Sequence, residues 1–360
     1  MSAGSPTPEP PTPALPTPYL RVDVDRLRAN VERAAGAAAT AGVALRPHAK
    51  THKSVDVARL QLEAGAAGLT VATVGEAEAF AEAGVGDLFV AYPLWLTDAL
   101  ADRLRALADA GVRLAIGVDS VRGAQSAGRL LAGSGVEVVV EVDSGHHRSG
   151  CDPRLAGDVA AAAAGAIGVR GVFTFPGHSY SPDGRASAAR DEAQALATAR
   201  ASLESAGLAV AVASGGSTPS LAHTETTVLD EVRPGVYVFG DAQQWELGSM
   251  PADDIALTAV ATVVSHAGGR LVLDAGSKVL GADRAAYATG FGRLLEHPDA
   301  RLVQLSEHHA VAELPGPLPA LGSRVLVVPN HCCTAVNLAD VLVPTVGGTP
   351  WPVTARGRNG

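Results

Sequence analysis

Val43-Ala44-Leu45-Arg46-Pro47-His48-Ala49-Lys50-Thr51-His52-Lys53 is a short apolar run that ends abruptly in a polar island. Such a run, bounded by turn residues, reads as a buried strand over residues 43–46, with the polar groups in the loop after it. The same unit recurs along the chain. Strands are predicted at residues 43–46, 68–72, 87–91, 112–117, 136–142, 168–174, 209–213 and 235–239. Helical patterns fall between them, at residues 54–64, 75–83, 99–110 and 185–205. Eight strands alternating with helices imply an α/β fold with a parallel sheet. The count predicts closure into a (β/α)8 TIM barrel more than an open doubly wound sheet.

After Gln244 the texture changes. Short strands at residues 255–264, 270–273, 301–306 and 323–328 follow one another with turn residues between and little helix. They read as a second, mainly antiparallel β domain. The expected division is a flexible Pro-rich leader at 1–18, a barrel at 19–244 and a β domain at 245–360. The leader has neither a basic nor an apolar region of the secretory kind. With 47% hydrophobic and 18% charged residues, 360 residues can bury a large core. A net charge of -9 argues against nucleic acid or an anionic membrane as partner. No segment has the ~18 uninterrupted apolar residues of a membrane span. Three cysteines, two of them adjacent, do not form a disulfide framework, and a reducing cytoplasm is the expected location.

Side chains at the carboxyl ends of barrel strands gather around one site. Those groups are His48, Lys50 and His52, then Asp143, His146, His147 and Arg148, then His178 and Tyr180. Ser214-Gly215-Gly216-Ser217 follows the seventh strand, and Arg233, Gly235 and Tyr237 surround the eighth. A lysine beside cationic partners and partly buried has a lowered pKa and can form imines, which fits Lys50. The blander reading is a solvated surface charge, and on spacing alone Lys53 is an equal rival. Glycines and hydroxyls in Ser214–Ser217 could bring backbone N–H groups to a phosphate; an ordinary turn would look the same. No G-x-x-x-x-G-K-[ST] or G-x-G-x-x-G motif is present, which disfavours nucleoside triphosphates and dinucleotides. His331 and Cys333, in Pro329-Asn330-His331-Cys332-Cys333, offer imidazole and thiolate, a combination that suits zinc. A buried cysteine beside an unrelated histidine would give the same short pattern.

Taken together the motifs resemble the D-threonine aldolase and D-serine dehydratase family. The segments concerned are Leu45 to Lys53, Gly75 to Glu78, Glu141 to Arg148 and Gly177 to Tyr180. Val232 to Asp241, Leu273 to Lys278 and Pro329 to Cys333 complete the set, in order along the chain. The resemblance implies an alanine-racemase-like barrel carrying pyridoxal phosphate, joined to a β domain, in a homodimer acting on a small D-amino acid. Position by position, Lys50 is similar to the lysine that binds the cofactor covalently, and Arg148 to the arginine near its 3-hydroxyl. Gly215, Gly216 and Ser217, with the backbone at Gly235 and Val236, resemble the phosphate cradle, with Tyr237 beside it. Arg233 falls where relatives place the partner of the pyridine nitrogen. His331 and Cys333 resemble the ligands of a divalent metal, expected to be zinc. His52, His178 and Tyr180 complete the expected site. Aldolases of the family tend to show H-x-D at the metal pair and dehydratases H-x-C, so the resemblance implies D-serine dehydration. Retro-aldol cleavage of D-threonine is the alternative. Thr174-Phe175-Pro176 stands where relatives often carry a tyrosine or histidine. Three other readings compete: a racemase on the same scaffold, a non-catalytic pyridoxal phosphate carrier, and a cofactor-free metal hydrolase.

Overall fold

Alternation of short apolar runs with amphipathic helices produces an eight-stranded parallel sheet in the computed structural model, which describes residues 15–360. Its strands are Ala44–Leu45, Leu69–Val71, Asp87–Pro93, Arg113–Val118, Glu137–Glu141, Gly168–Phe173, Val212–Gly215 and Glu231–Val232. The eighth returns to the first through Ala44–Glu231 and Leu45–Val232. Between first and second strands the barrel closes through a parallel bridge from His48 to Thr70, whose N–H donates to the Pro47 carbonyl at 2.8 Å. Pro47 has no N–H to extend the ladder, so the first strand stops where the lysine loop begins. Helix Arg185–Ser205 has the predicted bounds, and Val55–Glu63, Val74–Glu82 and Asp98–Asp109 lie within a residue of theirs.

The barrel interior is filled by Phe89, Ala115, Val139, Phe173 and Val212. Phe89 meets Phe173 edge-on at 5.0 Å. Arg46 is also buried there, with Nε 2.6 Å from Glu231 and Nη1 2.7 Å from Asp87, tying the first strand to the eighth and third. Gly68, at φ +149°, leaves room for that guanidinium: a Cβ would stand 2.4 Å from Nη1.

The eighth strand is Glu231–Val232, not residues 235–239. Arg233 turns inward from the ladder, Pro234 cannot donate to it, and Val236–Val238 winds into a 3-10 turn. The apolar, β-branched run there imitates a strand because it is buried on all sides.

The second sheet is mixed and mostly antiparallel, with nine strands among the described residues. Leu257–Ser265 is central, pairing antiparallel with Tyr19–Val22, Leu271–Leu273 and Arg324–Pro329. Tyr19–Val22 falls in the span assigned to the barrel, yet it completes this sheet and also pairs in parallel with Val341–Pro344. Its alternate residues Leu20 and Val22 are buried. Residues 1–14 of the expected leader lie outside the described residues. Its end is fastened: Thr17 Oγ1 donates to Asp274 at 2.5 Å, and the Leu15 carbonyl accepts from Arg324 at 2.8 Å. No helix among the described residues is long and apolar enough to cross a membrane.

Arg324–Pro329 leads to the metal motif. The Asn330 side chain donates to the carbonyls of Asp283 and Gly290, at 3.0 and 2.8 Å, and fixes the turn. Helix Cys332–Leu338 then begins with His331 at its N-cap and packs on the turn Ala49–Thr51 that holds Lys50.

Candidate active site

Helix Cys332–Leu338 and the turn Ala49–Thr51 meet at a cavity of about 430 Å³. Lys50, Tyr180, Ser217, Arg233, His331 and Cys333 all line it. Cys333 Sγ donates to Thr51 Oγ1 at 3.3 Å, on the residue next to the lysine. A second cavity of about 520 Å³ shares His48, Lys50, Phe175 and Arg233 with the first and adds Arg148 and Asp119. Lys50 therefore stands at the junction of two open spaces.

The two rival lysines have different surroundings. Lys53, in the left-handed region at φ 48°, is buried and saturated. Its Nζ donates to Asn337 at 2.8 Å and Asn359 at 2.9 Å, and pairs with Glu76 at 3.3 Å. Lys50 Nζ has no hydrogen bond among the described residues; the nearest aromatic face is Phe175, at 5.7 Å. Burial lowers the Lys50 pKa, Cys333 opposes that shift, and Arg148 adds to it. His48 beside it is held well below its ordinary value by burial and then by Lys50 and Arg233, and its Nδ1 is buried with no partner.

Arg233 is buried, with Nε 2.8 Å from Ser214 Oγ and a further bond from Nη2 to the Thr174 carbonyl. It stacks on Phe89 and Phe173 at 5.6 and 5.2 Å. Ser217, Thr218, Gly235 and Val236 form an adjoining stretch of cavity wall. The N–H groups of Gly235 and Val236 find no acceptor among the described residues, so this wall fits a phosphate. A Cβ on Gly235 would stand 2.6 Å from Thr51 Oγ1 and 3.1 Å from the His48 carbonyl, so the approach of this wall to the lysine loop requires glycine.

Gly215 and Gly216, expected in the cradle, do not line this cavity. The Gly216 N–H is taken by buried Glu192 at 2.6 Å, and a Cβ on Gly215 would stand 2.3 Å from the same carboxylate. Burial pushes Glu192 up to about 7. Tyr237 is also turned away: its hydroxyl accepts from Gln61 at 3.1 Å, while its N–H donates to Thr218 Oγ1. His52 is locked behind the wall between the Ser54 carbonyl and Gln61, at 3.0 and 3.1 Å, with burial driving it to about 4. His178 faces Asp191 at 3.2 Å and does not line the cavity; His146 does. Arg148 lies on the second cavity, 5.2 Å over Phe175.

At the metal motif, the Cys333 thiol is held well below its ordinary value by a hydrogen bond from Cys332 and the charge of His331. His331 is raised by the charge of Cys333, so each favours the other's charged form. Asp241 Oδ2 is 3.2 Å from His331 Nδ1 and accepts the Cys332 N–H at 3.3 Å. This leaves Nε2 for a ligand. Among the described residues no third His, Cys, Asp or Glu joins the pair as a donor. Imidazole and thiolate fit a borderline metal and leave positions free for substrate and water. Asp241, with no role in the sequence reading, ends the Val232 to Asp241 motif and is fully buried, which is the signal that it acts inside the site.

Comparison with known proteins shows the family and the fold. The family model "Alanine racemase, N-terminal domain" matches residues 22–243, and a serine dehydratase domain model matches residues 256–345. The chain is 35% identical to the D-threo-3-hydroxyaspartate dehydratase of Delftia sp. over 344 residues, 87% of this chain and 89% of that one. The solved structure of that enzyme superposes with a TM-score of 0.86 at 32% identity, over 94% of this chain and 97% of that one. A variant of the same enzyme is described in a metal-free form. The 3-hydroxy-D-aspartate aldolase of Paracoccus denitrificans is 31% identical over 94% of this chain and 92% of its own. The structure of the D-threonine aldolase from Filomicrobium marinum has a TM-score of 0.84 at 29% identity, covering 95% of this chain and 96% of that one.

Proposed function

The chain belongs to the D-threonine aldolase and D-serine dehydratase family, and on that premise we propose that it is a pyridoxal phosphate- and metal-dependent dehydratase of D-configured β-hydroxy amino acids. D-serine, the simplest of these, would yield pyruvate and ammonia. The observation that carries the reading is the shared cavity: Lys50 on one wall, His331 and Cys333 on another, with Thr51 joining them.

Lys50 is the amine that would hold the cofactor, because its depressed pKa keeps a larger share of it neutral and nucleophilic than a surface lysine has. The unpaired N–H groups of Gly235 and Val236 would receive the phosphate, Arg233 the ring nitrogen and Arg148 the 3-hydroxyl. When bound, the cofactor supplies an electron sink for the charge left at Cα. With its amine free, Lys50 would be the cavity base for the Cα proton. His331 and Cys333 would hold the metal, expected to be zinc; such an ion would lower the pKa of bound water to about 7 and so favour hydroxide as a leaving group. Asp241 keeps His331 aimed and its Nδ1 protonated. Phe175 brings no proton to the junction of the two cavities, and His48 there is held neutral. The free thiols of Cys151, Cys332 and Cys333 agree with a reducing cytoplasm, and a homodimer is the expected assembly.

Retro-aldol cleavage begins at the same β-hydroxyl, and two relatives carry the name aldolase. Cysteine rather than aspartate at position 333 supports dehydration. The test is product identification from metal-replete and chelator-treated protein given D-serine, D-threonine or D-alanine. A 2-oxo acid and ammonia, lost on chelation, are expected. Full activity after chelation with interconversion of alanine enantiomers would overturn the reading in favour of a racemase. A D-amino acid left unchanged by loaded protein would point to a carrier, and the absence of any visible chromophore to a hydrolase.

A further inference from the structure

We propose that Arg284 recognises a second carboxylate on the β-carbon of the substrate, making D-configured β-hydroxy amino dicarboxylates the preferred class. This rests on the lyase reading above and deepens it. Arg284 lines the same cavity as His331 and Cys333, next to Asp283 and Ala285. The metal couplet is where the β-hydroxyl is to be held, so any other group on that carbon must fall on nearby wall.

The other cations of the cavity are committed. Lys50 serves the cofactor. Arg233 is bonded to Ser214 and Thr174 and stacked on two rings. His48 and His146 are both lowered by burial and then by nearby arginine or lysine, and His331 belongs to the couplet. Arg284 differs from all of these. Its Nε donates to the Ala288 carbonyl at 3.3 Å, and its guanidinium lies 5.2 Å over Phe291. Neither terminal nitrogen has a hydrogen bond or ion pair among the described residues. One edge of the guanidinium is thus held by a carbonyl and a ring, and the fork remains for a carboxylate, which it matches bidentately.

The loop under Arg284 is also anchored to the couplet. The Asp283 side chain accepts from the Thr334 hydroxyl, one residue beyond Cys333, and the Asp283 carbonyl accepts from Asn330, one residue before His331. Asp283 is therefore engaged with Thr334 and forms no ion pair with its arginine neighbour. The anchoring ties Arg284 to the two metal donors, as recognition of two groups on one carbon demands.

The test compares parent, Arg284→Gln and Arg284→Lys, loaded with cofactor and metal, on D-threo-3-hydroxyaspartate and D-serine. Coupled assays follow oxaloacetate and pyruvate. The dicarboxylate-to-serine ratio of kcat/KM should fall roughly 10- to 100-fold in Arg284→Gln, the loss of one charge-assisted contact, and less in Arg284→Lys. Calorimetric titration with D-aspartate and D-alanine, which lack the leaving hydroxyl, should show a D-aspartate preference in the parent that Arg284→Gln removes. An unchanged ratio overturns the proposal. So does an equal fall on both substrates, which would place Arg284 at the α-carboxylate instead. A parent that turns over D-serine but not the dicarboxylate overturns it while the lyase reading stands. A parent that forms no 2-oxo acid from either refutes the lyase reading itself.

Discussion

Replacing Lys53 with methionine should damage the fold and leave the cofactor amine in place. The lysine side chain is 7% exposed and faces Glu76 at 1% exposure, with 3.3 Å between Nζ and Oε1. Deleting one partner of a buried pair costs about 3–5 kcal/mol. Glu76 retains the Ala72 N–H at 2.6 Å and can take up a proton, so the lower end, about 3 kcal/mol, applies near neutral pH. With an unfolding entropy of roughly 2.1 cal/mol/K per residue over the 360 residues, Tm should fall by about 4 °C. The loss has a definite pH signature. Burial already raises the Glu76 pKa, and removing Lys53 raises it further. A carboxyl whose folded pKa exceeds its unfolded one is destabilising only as pH climbs past the unfolded value, so the deficit should widen from about pH 5 to about pH 8. Differential scanning fluorimetry of cofactor-free protein at both pH values reads this directly. Adding Glu76→Gln should recover more than half of the loss. A Tm within about 1 °C of the parent at the higher pH would refute the claim that Lys53 is structural.

Lys50→Ala should do the opposite, abolishing cofactor absorbance and turnover while leaving the Tm of cofactor-free protein unchanged or raised, because it deletes a half-buried, desolvated amine with no partner; a clear drop in Tm would contradict this. Trapping pyridoxal phosphate on Lys50 with borohydride across a pH series should give a midpoint below the ordinary lysine value of about 10.4, and a midpoint at or above it would show that burial does not activate the amine. Asp241→Asn should weaken metal binding roughly 10- to 100-fold in competition with a chelator, and unaltered affinity would remove Asp241 from the site. Cys333→Asp should keep a metal but lower dehydration relative to aldol cleavage, and an unchanged product ratio would separate the second donor from the choice of reaction.

The sequence is most legible where structure is local. Helix Arg185–Ser205 could be bounded to the residue because an alanine-rich helix carries its own propensity, and the first six barrel strands follow from apolar runs of the right length, whereas the seventh, Val212–Gly215, starts three residues later than the expected 209–213. The eighth strand was misread because Val236 to Phe239 has strand composition and Glu231–Val232 is only two residues long. Tyr19–Val22 looks like the start of the barrel along the chain, and no local pattern reports that its partner is Leu257–Ser265. At the site, the sequence singled out Lys50, Arg233, His331 and Cys333, which the fold brings to one cavity. They did not separate His48, which faces the cavity, from His52, which Ser54 and Gln61 hold behind it. Nor could they show that Glu192 occupies the Gly216 N–H, since that carboxylate arrives from a helix remote in sequence.

Because Tyr19–Val22 closes into the second sheet, the chain leaves that sheet, builds the whole barrel and comes back. On the ribosome, Tyr19–Val22 emerges long before its partners Leu257–Ser265 and Val341–Pro344. No single proteolytic cut can release either half intact. Nor can recombination at one junction exchange the barrel for another without carrying away a strand of the sheet beside it, so amine and thiol are inherited as one piece.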